Sequence, residues 1–313
     1  MHPVIEVDGL VKRYPQSKEN AVDSISFDVQ HGEFFALLGP NGAGKTTTIS
    51  VLTTTLMATS GIVRVCGYDV GKEPSAVRRN AGIIFQNRSL DENLTAEENI
   101  RLHAILYGMY SFRPTFSTMP EEYKQKVDEL ANVLGIESEI HKPIKVFSGG
   151  MKRKLEIIRG LIHGPKVLFL DEPTTGLDPE SRRNLWEYLS YAQESNGVTV
   201  FLTTHYLEEV DNADRICIIN RGKIVSLGTP DEVKSDLSGA YLIIDSSDRR
   251  SLANELESLG VEFEMKRRFR VQIMPGDVHN LLRKINTPLS VVETQDATLE
   301  DAYLKIIGED SWS

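Results

Sequence analysis

Residues 34–47 read Phe-Phe-Ala-Leu-Leu-Gly-Pro-Asn-Gly-Ala-Gly-Lys-Thr-Thr. The apolar run Phe34 to Leu38 predicts a strand buried on both faces, and the Thr-rich run after Lys45 predicts a helix. Between them, Gly39, Pro40, Asn41, Gly42, Ala43, Gly44, Lys45 and Thr46 fit the pattern G-x-x-x-x-G-K-[ST]. Glycines at that spacing let successive backbone N–H groups turn inward around phosphate oxygens, and the start of the following helix adds partial positive charge there. The stretch therefore predicts a phosphate-binding loop. Lys45 would reach the β- and γ-phosphates of a nucleotide, and Thr46 would ligate Mg²⁺ through its hydroxyl.

Working outward, Ala81 to Phe85, Val167 to Leu170, Val198 to Leu202 and Ile216 to Ile219 are further candidates for buried strands. Their alternation with helical stretches predicts an α/β domain with a largely parallel sheet. Ile5 to Val7, Ile25 to Val29 and Ile62 to Val65 alternate more and predict an antiparallel companion sheet. From Asn87 to Phe147 the strand pattern disappears. Thr95 and Glu98 have capping-box spacing ahead of Ile100, Ala104 and Tyr107, which predicts a helical insertion with a second helix near Glu121 to Leu134. The loop Gly108 to Pro120 joins them and is rich in aromatic residues. After Pro230 the order of short elements is βαββαβ, that of a ferredoxin-like unit, with a final helix from Leu299 to Ile307. In this net-acidic unit Lys266, Arg267, Arg268 and Arg270 form a basic cluster. It reads either as a solvated hairpin turn or as a contact for anionic lipid or an acidic partner surface.

The chain of 313 residues carries 35 basic and 45 acidic side chains, a net charge of -10. That balance disfavours generic nucleic-acid binding, which needs a phosphate-neutralising surface. No apolar stretch is long enough to span a bilayer and no signal peptide is visible, so the expected location is the cytoplasm. The two cysteines, Cys66 and Cys217, are far apart and read as small buried residues rather than a disulfide or zinc site.

A second acidic motif bears on the phosphate loop. Lys166 to Glu172 is an apolar strand ending in two carboxylates, the pattern of a Walker B element. Asp171 would hold the Mg²⁺ shell and Glu172 would face a water in line with the γ-phosphate, with Glu172 beside the phosphate-loop strand. Upstream lies Phe147-Ser148-Gly149-Gly150-Met151. Ser148 can cap a helix there, while Gly149 and Gly150 leave its first N–H groups open to an anion.

With this set, residues 4 to 230 resemble the nucleotide-binding subunit of an ABC transporter, and the later residues look like the extension of its drug-resistance and ABC-2 type export branch. The resemblance implies an ABC cassette at 1–232, with a mixed core sheet, an antiparallel β subdomain and a helical insertion at about 87–150. An α+β accessory or regulatory domain would follow at 238–309. It also implies that Tyr14 stacks on adenine, that Thr47 joins the ATP-binding residues, and that Gln86 senses Mg²⁺ and the attacking water. His205 would contact the γ-phosphate. Ser148, Gly149, Gly150 and Asp178, the last in Gly176-Leu177-Asp178, would act on ATP held by a second subunit.

The expected assembly is a head-to-tail dimer with itself or a homologous ATPase, bound to an integral membrane permease on the cytoplasmic face. The expected cargo is drug-like, lipid or otherwise small and amphipathic. A soluble ABC ATPase of DNA maintenance or the ribosome is the rival class. Those proteins usually have a long coiled-coil insertion or two cassettes, and neither is visible here. The sequence departs from the family in having Phe147 where Leu is commoner and in continuing Met151-Lys152-Arg153-Lys154 rather than with Gln.

Overall fold

The computed structural model describes residues 2–85, 89–175, 177–210, 213–235, 240–265, 267–273, 277–295, 298–301 and 303–304. They belong to two compact units, 1–227 and 228–313. In the first unit the strands are β1 (Ile5–Lys12), β2 (Val22–Val29), β3 (Phe34–Leu38), β4 (Ser60–Val65), β5 (Tyr68–Asp69), β6 (Ala81–Ile84), β7 (Val167–Asp171), β8 (Thr199–Thr204), β9 (Arg215–Asn220) and β10 (Lys223–Gly228). The helices are α1 (Lys45–Leu52), α2 (Pro74–Asn80), α3 (Ala96–Leu106), α4 (Glu121–Val133), α5 (Gly149–Leu161) and α6 (Pro179–Asn196).

Among the described residues these strands form two sheets, ordered β2-β1-β4-β5 and β10-β9-β3-β8-β7-β6. The first is antiparallel, with Ile5 opposite both Val29 and Val65. In the second, β9, β3, β8, β7 and β6 run parallel. Every residue of β3, β7 and β8 is buried, which is why their apolar stretches Phe34–Leu38, Val167–Leu170 and Val200–Leu202 run unbroken rather than alternate. An aromatic chain joins the sheets: Phe27 on β2 stacks on Phe35 on β3 at 5.3 Å between ring centroids. Phe35 stacks on Phe201 at 5.4 Å, and Phe201 meets Phe169 at 5.6 Å. A two-residue turn at Arg221-Gly222, both at positive φ, joins β9 to β10.

The helical insertion starts as its sequence predicts. Thr95 and Glu98 form a capping box at the start of α3, and α4 presents Tyr123, Val127 and Leu130 as its buried stripe. The connecting loop is anchored from within. The buried Arg101 guanidinium pairs with Glu97 at 2.8 Å and donates to the Arg113 carbonyl at 2.7 Å. Tyr110 and Phe116 both pack edge-on against Tyr123.

The second unit comprises α7 (Pro230–Ser235), β11 (Ala240–Asp245), α8 (Arg249–Ser258), β12 (Phe263–Met265), β13 (Phe269–Ile273), α9 (Val278–Leu282) and β14 (Val291–Gln295). Its sheet order β12-β13-β11-β14 and its antiparallel pairings are those of the ferredoxin-like arrangement. Leu242, Ile244, Phe269 and Val271 point from the sheet to Leu252 and Leu256 of α8. The alternate residues Tyr241 and Arg270 belong to the other face. There the Arg270 guanidinium lies 3.6 Å from the Tyr241 ring centroid and grips Asp301 with two hydrogen bonds of 2.7 and 2.6 Å. Asp301 also accepts from the N–H and hydroxyl of Thr298.

These contacts settle part of the basic cluster. Arg268 spends its charge on Glu293, at 2.9 Å to each carboxylate oxygen, and Arg270 spends its charge on Asp301. Lys266 lies outside the described residues. Both cysteines are unpaired. Burial pushes the Cys217 thiol up to about 12 and the half-buried Cys66 thiol up to about 11. Among the described residues no helix is long and apolar enough to cross a membrane.

The Arg270 hydrogen bonds hold the Asp301 carboxyl at about 2 against its usual 3.8. A depressed acid stabilises the folded state above its unfolded value, so this contribution is whole above about pH 5 and lost as pH falls toward 2. At neutral pH, Arg270→Met should cost the second unit about 1 kcal/mol and speed amide exchange at residues 298–301. Unchanged exchange there would show that the pair does not hold this turn.

Candidate active site

At the end of β3 the chain passes so close to β9 that a Cβ on Gly39 would collide with the Ile219 carbonyl. Gly44 adopts φ +110°, and a Cβ there would lie 2.6 Å from the Ala21 carbonyl. Glycine is the residue that meets both demands. The Gly222 N–H donates to the Ala43 carbonyl at 2.9 Å, tying the loop to the β9–β10 turn. Lys45 opens α1 at only 5% exposure, and its ammonium donates to the Gly39 and Pro40 carbonyls at 2.7 and 3.0 Å. Burial lowers its pKa from the usual lysine value, opposed by the nearby carboxylates of Glu172 and Asp171.

A cavity of about 190 Å³ opens at this turn, lined by Ala21, Asn41, Gly42, Gly44, Lys45, Thr46, Thr47 and Glu172. The Tyr14 hydroxyl stands 3.2 Å from Thr47 Oγ1 beside it, and the Tyr14 ring is exposed. Of the residues expected at the nucleotide, the structure brings Tyr14, Asn41, Gly42, Gly44, Lys45, Thr46, Thr47 and Glu172 to one place.

The acidic pair arrives from β7, but not from an adjacent strand: β8 lies between β3 and β7, so Glu172 is not carried beside β3 as the sequence suggested. The turn at its own backbone makes up the difference. Glu172 adopts φ +47°, a left-handed conformation costing a non-glycine residue about 1 kcal/mol or more. Its N–H donates to the Thr203 carbonyl at 3.0 Å. His205 Nδ1 lies 2.9 Å from Glu172 Oε1, and since a carboxylate only accepts, the imidazole carries the proton of this bond. Asp171 is 2% exposed and accepts a hydrogen bond from the Thr203 hydroxyl. Burial raises its carboxyl above the usual aspartate value.

A second group of residues assembles separately. Ser148 caps α5, its Oγ accepting the Met151 N–H at 3.2 Å, and both Ser148 and Gly149 are exposed. Asp178 caps α6 through the Ser181 N–H at 2.9 Å, and a Cβ on Gly150 would lie 3.7 Å from Asp178 Oδ2. Ser148, Gly149, Gly150 and Asp178 are neighbours, and none of them lines the phosphate cavity. Gln86 and Gly176 lie outside the described residues.

Glu209, Arg153 and Glu156, all buried near this site, were given no role by the sequence reading. Glu209 is 4% exposed and accepts hydrogen bonds from the hydroxyls of Thr174 and Thr204, so it joins the segment after Glu172 to the end of β8. Arg153 and Glu156 on α5 are equally buried and paired at 3.2 Å. No spacing rule links Glu209 to threonines on other segments, so nothing in the sequence marks it.

The ABC transporter family profile matches residues 22–175. The daunorubicin resistance ATP-binding protein DrrA3 of Streptomyces coeruleorubidus is 35% identical over 317 residues, spanning 98% of this chain and 96% of that protein. The chain belongs to the ABC transporter family. Within it, this ATPase falls in the drug-export branch of ATP-binding subunits, where ATP hydrolysis is coupled to transport by a permease. It is also similar to the Nod factor export ATP-binding protein I of Ralstonia nicotianae, at 32% identity over 98% of this chain and 95% of the relative. A solved structure of an ATP-binding subunit of an ABC transporter aligns with a TM-score of 0.67 and 30% identity over 75% of this chain and 93% of its own length.

Because Gly39 has no room for a side chain, Gly39→Ala should lower the stability of this ABC ATPase by about 2 kcal/mol and distort the loop. Thermal unfolding and titration with ATP would read both effects. A variant with normal stability and normal ATP affinity would show that β3 and β9 can separate at no cost.

Proposed function

We propose that this ABC ATPase works as one half of a head-to-tail dimer, made with a second copy or a homologous subunit, that binds Mg·ATP at two shared sites. The dimer would sit on the cytoplasmic face of the membrane, bound to an integral membrane permease, with no role for nucleic acid. The names of its relatives support export of a drug-like, lipid or other small amphipathic substrate.

One observation carries the shared-site reading: the residues expected at one ATP form two clusters, and the exposed anion-binding turn of Ser148, Gly149 and Gly150 lies outside the cavity that holds Lys45 and Glu172. A turn with bared N–H groups on the surface fits a phosphate presented by another molecule. In each site Tyr14 would stack on adenine, the loop Gly39 to Thr47 would wrap the phosphates, and Lys45 would exchange its loop carbonyls for phosphate oxygens. Asp178 would flank the junction from the opposing chain. Gln86 completes the proposed set.

The donors fit Mg²⁺: Thr46 and Asp171 offer hard oxygen ligands, and the raised pKa of buried Asp171 marks a carboxylate that a cation would stabilise. Bound there with phosphate oxygens and water, Mg²⁺ would neutralise charge on the nucleotide. His205 holds the Glu172 carboxylate from Nδ1; Glu172 would orient the attacking water and take its proton on a carboxylate oxygen, and His205 would contact the γ-phosphate.

Glu172→Gln keeps the shape of the site and removes the base. Hydrolysis should fall by a factor on the order of a hundred or more with ATP binding retained, measured by phosphate release and by nucleotide titration. Near-normal turnover would remove Glu172 from this role. For the shared site, specific activity should rise with protein concentration until the dimer is populated. A Ser148→Arg chain mixed with a Lys45→Ala chain should recover activity that neither has alone. Concentration-independent hydrolysis by a proven monomer would refute the dimeric site.

A further inference from the structure

Arg153 lies two residues beyond Met151, within the stretch that continues the signature segment, and the structure gives it a task. It lies on α5 one turn beyond Gly149 and Gly150, and it is only 3% exposed. Its Nε donates to the Pro173 carbonyl at 2.8 Å. Nη1 donates to the Phe85 carbonyl at 2.5 Å and to Glu156 Oε2 at 3.2 Å. Nη2 reaches the carbonyls of Asp171 and Glu172, each at 3.3 Å. One guanidinium therefore holds three consecutive peptide groups at the exit of β7 and one at the exit of β6, and its charge is balanced by the buried Glu156 carboxylate.

Those three peptides surround the strained residue. A non-glycine residue stays at φ +47° only where its surroundings over-determine it, and the carbonyls on both sides of Glu172 are the ones that Arg153 binds. The fork shape matters because donors in one rigid plane fix several acceptors relative to each other, whereas a lysine ammonium offers a single point of attachment.

We propose that Arg153 is a positioning residue for Glu172: it sets the turn that aims the Glu172 carboxylate at the cavity, without touching the nucleotide. The inference rests on the reading of Glu172 as the group that orients the attacking water. A merely structural arginine would change stability. A positioning one changes turnover through Glu172.

The test uses the full chain at concentrations where specific activity has levelled off, comparing Arg153→Gln and Arg153→Lys for thermal midpoint, ATP affinity and kcat. In Arg153→Gln, kcat should fall about tenfold or more while ATP affinity moves less than about threefold. Arg153→Lys should recover only part of the loss. In a Glu172→Gln background, Arg153→Gln should lower the residual rate by no more than about twofold, since the group it positions has already gone. The same fractional loss in both backgrounds, or a folded Arg153→Gln chain with parental kcat, would overturn the proposal. Glu172→Gln hydrolysing at the parental rate would instead overturn the underlying reading of Glu172. If Arg153→Gln does not fold, Arg153→Lys carries the same comparison in both backgrounds.

Discussion

The site depends on how closely β3 and β9 approach one another. Gly39 passes the Ile219 carbonyl without room for a Cβ, and this contact, with the Gly222 to Ala43 hydrogen bond, fixes where the phosphate loop begins its turn. Fixing that origin places Lys45 at the start of α1, buried on the carbonyls of its own loop. A lysine ammonium loses hydration when buried and needs compensation. Here it comes from two carbonyls and from the field of Asp171 and Glu172.

The same arrangement explains the spacing of the strands. If β7 were next to β3, its terminal carboxylates would follow directly from the sheet register. With β8 interposed, β7 has to deliver Asp171 at its end and then turn left-handed at Glu172 to reach the cavity. β8 pays part of that cost in hydrogen bonds: the Thr203 hydroxyl holds Asp171 and the Thr203 carbonyl holds the Glu172 N–H. His205, just beyond the end of β8, reaches the Glu172 carboxylate. The intervening strand is therefore a support for the acidic pair, and its polar end follows from that task.

This is also where the sequence stopped being legible. Apolar runs located β3, β6, β7, β8 and β9, since a strand buried on both faces writes its position in hydrophobicity alone. The strand over Val198 to Leu202 continues through Thr203 and Thr204, whose hydroxyls point to Asp171 and Glu209. Polar residues in a buried strand look like its end unless their partners are known. β5 and β10 escaped because the first has two residues and the second alternates exposure along an edge. The phosphate loop, the acidic pair and the Ser148 cap were legible because each is local. Arg153 and Glu209 were not, since each ties together segments distant in sequence. The basic cluster was legible as a turn between two antiparallel strands, Met265 facing Phe269, but not in its ion pairs. Arg268 and Arg270 look like a patch when read along the chain, and their acids lie 25 and 31 residues away.

A helix N-terminus capped by its own serine still has N–H groups without intrahelical partners. In α5 those of Gly149 and Gly150 face the surface beside Asp178, an acid held well ionised by the Ser181 hydroxyl and N–H. A phosphate that approached this turn would meet favourable N–H dipoles and the Asp178 carboxylate, whose charge is partly offset by Lys154. The geometry makes better sense if the phosphate arrives already neutralised by a lysine and a cation, as it would on the loop of a second chain. Asp178 then meets a partly screened ligand, and its carboxylate becomes tolerable at the junction. The charge around this turn is thus compatible with the proposed delivery of a nucleotide by a second chain.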